Sequence, residues 1–366
     1  MNKPRSLLLV TVPALLLAGP LTLFACGGTT GASPAPDAGS SHGDGASPGD
    51  DGDAGIVVDE AGPVDAGTWV DASPPAQLGA GSAVATTGPT DVWVTGNGPI
   101  LHYDGTTWTS VFDDSMSTFG SLWASSPSDV WAVGYYPGPN SMLAGSIAHW
   151  DGQAWADVTN APPTDQLFRV WGSGPNDVWV VGDEVVGSAL GAVVLHFDGS
   201  TWSVAYTEPI QDFGGVWGSG PNDVWISGLG DTLHFDGTTW SKAGPASATV
   251  HAFGVWGTGP TDVWAWGTDD GGDNGVLFHY DGSSWSAGTP LGASLSLSGM
   301  WGSSPTDVWA VGVDATSGFN RALMMHWDGH AWSILPQSAD APVLDDIAGS
   351  GPGNIWCAGE AVLRLQ

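Results

Sequence analysis

The tripeptide Asp-Val-Trp, or its variant Asn-Ile-Trp, recurs along the chain with its tryptophan at positions 93, 131, 179, 225, 264, 309 and 356. A spacing of 38 to 48 residues is that of a four-stranded propeller blade, and such a period constrains the fold more than any composition does. The copy at 213–242 shows the unit. Strand A is expected over 213–218, B over 223–227, C over 232–236 and D over 239–242. Gly-Ser-Gly-Pro-Asn-Asp makes the A–B turn. Asp236-Gly237 makes the C–D turn, a dipeptide that favours a tight hairpin. B strands such as Val178-Trp179-Val180-Val181 are apolar without alternation, which fits a blade packed between two others rather than an open sheet.

The 22 tryptophans can be assigned one by one. Trp123, Trp171, Trp217, Trp256 and Trp301 fall on A strands, and the seven of the tripeptide on B strands. Trp108, Trp155, Trp202, Trp240, Trp285 and Trp332 fall on D strands. Trp150 and Trp327 precede the C–D turn, and Trp266 follows Trp264 on its strand, which leaves Trp69. The seventh repeat, 344–366, lacks a D strand, whereas Asp65-Ala66-Gly67-Thr68-Trp69-Val70 reads as one. Residues 66–71 are therefore expected to complete blade seven. The fold class is all-β, a seven-bladed β-propeller closed by an N-terminal strand, which leaves no unpaired edge. The alternative is six blades with the seventh repeat as a cap.

The Trp-Gly-x-x-Pro-x-Asp-Val-Trp and His-x-Asp-Gly-x-x-Trp pattern resembles the tandem repeats of bacterial secreted and lipoprotein propellers. These are similar in style to BNR/Asp-box propellers and to photosystem II stability/assembly factor-like propellers. The resemblance covers about 66–366 and implies the fold but no activity. The chain departs from the Asp-box pattern S-x-D-x-G-x-x-W: Asp198-Gly199-Ser200-Thr201-Trp202 has no residue between Asp and Gly.

Lys3 and Arg5 precede an apolar run over 7–24, interrupted by Pro13, Gly19 and Pro20, the pattern of an export signal rather than of a span. Leu23-Phe24-Ala25-Cys26 resembles the lipobox of bacterial lipoproteins, with an atypical Phe24. The resemblance implies a signal peptide over 1–25 and acylation of Cys26. Several acyl chains anchor stably where one does not. Gly27 is not the aspartate of inner-membrane retention, so the outer membrane or cell surface is expected, the alternative being a secreted or periplasmic protein. Residues 26–64 are mostly Gly, Ala, Ser, Pro and Asp and read as a disordered tether. The propeller occupies 65–366. With Cys26 acylated, Cys357 reads as a buried, inert thiol.

The chain holds 38 acidic and 6 basic residues, for a net charge of −32. That balance excludes nucleic acid as a partner and disfavours docking on anionic lipid, so the membrane is reached through the anchor only. It favours a cationic partner. His102, His149, His196, His234, His279 and His326 fall one to a blade, so a repeated hydrogen bond is expected rather than a metal site, and no cofactor is expected. Asp91, Asp129, Asp177, Asp223, Asp262 and Asp307 recur at one turn position and read as caps. Arg169, Arg321 and Arg364 belong to three different blades and cannot form the arginine cluster of a sialidase. The chain therefore reads as no enzyme but as a non-catalytic binding or scaffolding propeller, a monomer, for a protein or cell-envelope polymer. The alternatives are a multivalent carbohydrate-binding lectin and, behind it, a glycoside hydrolase. The A–B and C–D turns share one face and are near-copies. The B–C and D–A loops share the other, called the top here, and vary. The candidate binding residues there are Tyr135, Tyr136, Asp183, Glu184, Tyr206, Glu208, Asp269, Asp270, Asp273, Phe319 and Arg321.

Overall fold

The computed structural model describes Ile56 and Val57, residues 68–74, and residues 82–365 without 97, 115, 139–141, 187–188, 210–212, 229–231, 246–250, 269–273 and 339. The signal segment, Cys26 and nearly all of the stretch read as a tether lie outside the described residues. The rest is a ring of seven antiparallel sheets, one per repeat. In blade four the strands are Phe213–Gly220, Asp223–Gly228, Thr232–Phe235 and Trp240–Lys242, close to the expected bounds. At the C–D turns the Asp-Gly glycines hold φ between 88° and 95°, a region closed to most side chains.

Blade seven has Leu344–Gly351, Asn354–Gly359 and Val362–Leu365, and Trp69–Asp71 adds the fourth strand. Trp69 pairs with Leu365, Val70 with Arg364 and Asp71 with Leu363. The Ala72 amide donates to the Val362 carbonyl at 2.8 Å, and its carbonyl accepts the Trp108 indole of blade one at 3.0 Å. The ring is closed by the N-terminal strand, not capped.

Tryptophans occupy the joints between blades. Each of these B-strand tryptophans meets the tryptophan that follows the C–D turn of the next blade edge-on, with centroids 5.4 to 6.3 Å apart: Trp93–Trp155, Trp131–Trp202, Trp179–Trp240, Trp225–Trp285, Trp264–Trp332 and Trp356–Trp108. Trp309–Trp69, at 5.6 Å, is the seventh pair, so the closing strand supplies the aromatic that the ring needs. Such pairs add about 0.5–1.5 kcal/mol each beyond their buried area.

A second set lies near the axis. Trp123, Trp171, Trp217, Trp256 and Trp301 cover Gly172, Gly218, Gly257, Gly302 and Gly349 of the following blade, where an added Cβ would stand 2.6 to 2.8 Å from the ring. Trp-Gly is thus a contact between repeats rather than within one.

Two features differ from the sequence reading. Ile56–Val57 falls in the stretch read as tether, yet pairs in parallel with Trp332 and Ser333 as a fifth strand of blade six. In blade five Trp285 makes only an isolated bridge to Tyr280, and the D strand follows at Thr289–Ala293. The Trp285 indole donates to the Ala243 carbonyl of blade four at 2.6 Å, the same bond to the preceding blade that Trp108 makes with Ala72.

Candidate functional site

The repeated polar residues are engaged within their own blades. Asp91, Asp129, Asp177, Asp223, Asp262 and Asp307 open the B strands, and each holds Nε2 of its blade's histidine at 2.6 to 2.8 Å. Each also accepts a hydroxyl from four residues earlier, as from Ser219 to Asp223. The histidine ring lies on the B-strand tryptophan with centroids 3.9 to 4.4 Å apart. Burial opposes ionisation of these aspartates, but the bonds from histidine and hydroxyl outweigh it, and each carboxyl stands below its ordinary value. Among the described residues no three His, Cys, Asp or Glu are placed to hold a metal ion.

The three arginines stand apart. Arg169 is near the axis, with Asp346 close enough for its charge to be felt. Asp346 accepts the Val84 amide across the blade seven–blade one seam at 3.0 Å, and burial lifts its carboxyl to about 6. Arg321 is bound to Asp314 through Nε at 2.9 Å and Nη2 at 2.7 Å. Arg364 lies over Trp356. Cys357 is buried in strand B of blade seven, and burial pushes its thiol far above the ordinary value.

The candidate loop residues divide into three groups. Asp269, Asp270 and Asp273 lie outside the described residues. Asp183 is no loop residue: it is 4% exposed on the long B strand Asp177–Val186, which pairs with Ala189–Phe197 up to a two-residue connection. Glu184, half-buried, follows it on the same strand. Tyr206 belongs to the joint between blades three and four, its ring 5.9 Å from Trp240 and its hydroxyl donating to Glu208 at 2.5 Å. Asp183, Glu184, Tyr206 and Glu208 thus lie on strands of blade three rather than in loops. Tyr135 and Tyr136 are not in a loop either: they end the long B strand Asp129–Pro137, paired with Gly145 and Ala144 of strand C, while Phe319 lies beyond strand B of blade six and is 79% exposed. Arg321 pins its loop through Asp314.

Of these Tyr136 lines a cleft. The cleft, of about 530 Å3, opens on the top face over blade two. Its walls are the loop from blade one (Asp114, Met116, Ser117), the B–C hairpin (Tyr136, Gly145, Ser146) and the loop to blade three (Val158 to Thr164, with Pro162 and Pro163). The Gly145 amide donates to the Thr164 carbonyl at 2.9 Å, and Ser117 and Ser146 hydroxyls meet at 3.2 Å, so three loops are tied into one wall. Met116 is 58% exposed at its rim. Two carboxylates stand in it, Asp114 and Asp157. Burial first, and then the Asp114 charge, raise the Asp157 carboxyl above its ordinary value. Sequence reasoning missed Met116, Asp157 and the proline pair. The signal was present: Met116 is the one large apolar residue between Phe112 and Phe119.

No family model and no curated protein matches the chain. Solved structures do. One, described as YCF48 bound to D1 peptide, has 16% identity and a TM-score of 0.59, over 86% of this chain and 98% of that one. The WD40 propeller domain of Doa1 gives 9% and 0.55, over 81% and 96%. The chain is a β-propeller. A GH74 xyloglucanase from Xanthomonas campestris gives 11% and 0.59, and the chain spans about half that enzyme's length, 53%. At such identities the likeness is one of fold.

Proposed function

We propose that this propeller is a non-catalytic binding module, anchored at the outer membrane or cell surface through acylated Cys26, that holds a segment of a partner protein in its top-face cleft. The observation that carries the reading is the cleft itself: an apolar wall of Met116, Tyr136, Pro162 and Pro163 around two unneutralised carboxylates. Such a surface suits apolar side chains next to a lysine or arginine. The comparison with a propeller described as holding a peptide supports the reading. Against the lectin reading, the seven B-strand tryptophans are packed between blades at 1 to 4% exposure and offer no sugar platform.

Fluorescent peptides with Lys or Arg among apolar residues are expected to bind, and their charge-reversed counterparts are not. Asp114→Asn with Asp157→Asn should weaken binding at least about tenfold and flatten its salt dependence. Gln153→Ala, in a bottom turn of the same blade, should change nothing. Equal binding of both peptide sets, or loss through Gln153→Ala alone, overturns the reading.

Anchoring has its own test. Cys26→Ser should move the protein from the membrane to the soluble fraction of a cell that acylates lipoproteins. A wild-type chain that takes up no labelled acyl group there would contradict the anchor.

A further inference from the structure

Blade seven departs from the other six at two positions together. Where they open strand B with aspartate, it has Asn354, and where they set histidine against the B-strand tryptophan, it has Arg364. Trp356 pairs with Arg364 as Trp225 pairs with His234. The rest of the arrangement is kept. The Trp356 indole donates to Asn354 Oδ1 at 2.8 Å, and the hydroxyl four residues earlier, Ser350, meets Asn354 Nδ2 at 2.8 Å. The charge is what changes. A neutral amide stands in place of the carboxylate, and a full positive charge in place of the imidazole.

That charge receives little inside the protein. The Arg364 guanidinium lies 5.1 Å from the Trp356 ring centroid, a cation–π contact. Its Nε is buried and has no acceptor. Among the described residues no carboxylate pairs with it, whereas Arg321 has Asp314. Arg364 lines a cavity of about 440 Å3 at the seam of blades seven and one, walled by the half-buried Tyr103 and Trp108 with Trp356 buried behind them. The Tyr103 and Trp108 rings stand 5.6 and 6.3 Å from Trp356. Asp71 also lines it, with Oδ1 accepting the Ser73 amide at 2.9 Å. Its negative charge opposes a dianion more than a single carboxylate.

We propose that this seam cavity is a binding site for a monocarboxylate carried on an aromatic or apolar body, with Arg364 holding the carboxylate and the aromatic wall holding the body. A guanidinium offers the planar, paired donors that a carboxylate fits, and rings beside it favour an apolar body over a small hydrated ion. The site is remote in sequence and composition from the top-face cleft and stands without it.

The test is calorimetry and thermal melting of the full chain with four probes: benzoate, inorganic phosphate, and an N-acetylated tetrapeptide ending in phenylalanine with a free or an amidated terminus. Benzoate and the free-terminus peptide are expected to bind and to raise the melting temperature. Phosphate and the amide should bind at least about tenfold more weakly. Tighter binding of the peptide than of benzoate assigns the carboxylate to a chain end, and the reverse to a small acid. Asn354→Asp restores the carboxylate of the other six blades, with Ser350 in place to bond it, and cancels the Arg364 charge. It should keep the fold and lose binding at least about tenfold. Asn354→Asp with Arg364→His rebuilds the six-blade arrangement and should melt as a folded protein without binding. Absence of carboxylate binding, phosphate binding as tight as benzoate, or wild-type binding by the folded double variant would overturn the proposal.

Discussion

Removing residues 27–74 is expected to lower the melting temperature by about 10 °C, while removing 27–50 should leave it nearly unchanged. The longer deletion takes away the Trp69–Asp71 strand, the edge-on contact of Trp69 with Trp309, and the bonds of Ala72 and Ser73 to Val362 and Trp108. It opens blade seven at Val362–Leu365, an edge that can recruit other chains, so aggregation on heating should accompany the loss. A deletion of 27–58 separates two contributions. Among the described residues it removes the parallel pairing of Ile56–Val57 with blade six, two residue pairs at an outer edge, and should cost far less than the closing strand. Trp69→Ala should reproduce much of the longer deletion, about 2–3 kcal/mol for a half-buried aromatic. The measurement is thermal and urea unfolding of the variants. Equal melting of the 27–50 and 27–74 deletions would refute closure as the source of stability.

The blades and their closure were readable because each depends on local pattern plus period. Trp69 stood out only after every other tryptophan had a place, and its pairing with Leu365 follows from the missing D strand. The site was less readable, for reasons that can be named. Acidity alone does not separate a solvated loop from a strand end: Asp183 looked like a loop acid because Gly182 precedes it, yet blade three extends both B and C to Val186 and Ala189. Tyr206 looked unassigned because the D strand of blade three runs to Pro209, beyond the repeat's usual end, which brings the ring to Trp240. The cleft combines loops from three blades, and such an assembly has no signature in one repeat. The exchange of Asp and His for Asn354 and Arg364 lies openly in the sequence, but its meaning depends on the strand pairing that puts Arg364 beside Trp356.

The axial contact between blades can be tested by a pair of substitutions that the chain itself already contains elsewhere. Five blades present tryptophan to the axis and five following blades answer with glycine, the last pair being Trp301 and Gly349. Blade one has Ala85 in the tryptophan position, and blade two answers with Ala124. Blade seven has Ala348, and blade one answers with Thr86, whose hydroxyl donates to the Asp91 carbonyl at 3.0 Å. Glycine is thus found only where a tryptophan covers it, so the constraint is the ring rather than the strand. At Gly349 the three nearest atoms to an added Cβ all belong to Trp301, at 2.7 to 2.8 Å, while at Gly218 the Asp223 carbonyl also stands at 2.5 Å. Gly349→Ala is therefore expected to destabilise by about 2–3 kcal/mol, through a ring forced off its rotamer. Trp301→Ala should cost about 3 kcal/mol through lost burial. Together they recreate the Ala85–Ala124 pair, and the double variant should be more stable than the sum of the two losses implies by about 2 kcal/mol. Gly218→Ala should not be rescued as fully by Trp171→Ala, because the carbonyl contact persists. Urea unfolding of the single and double variants decides it: strict additivity at Gly349 and Trp301 would mean that the backbone, not the neighbouring blade, demands the glycine.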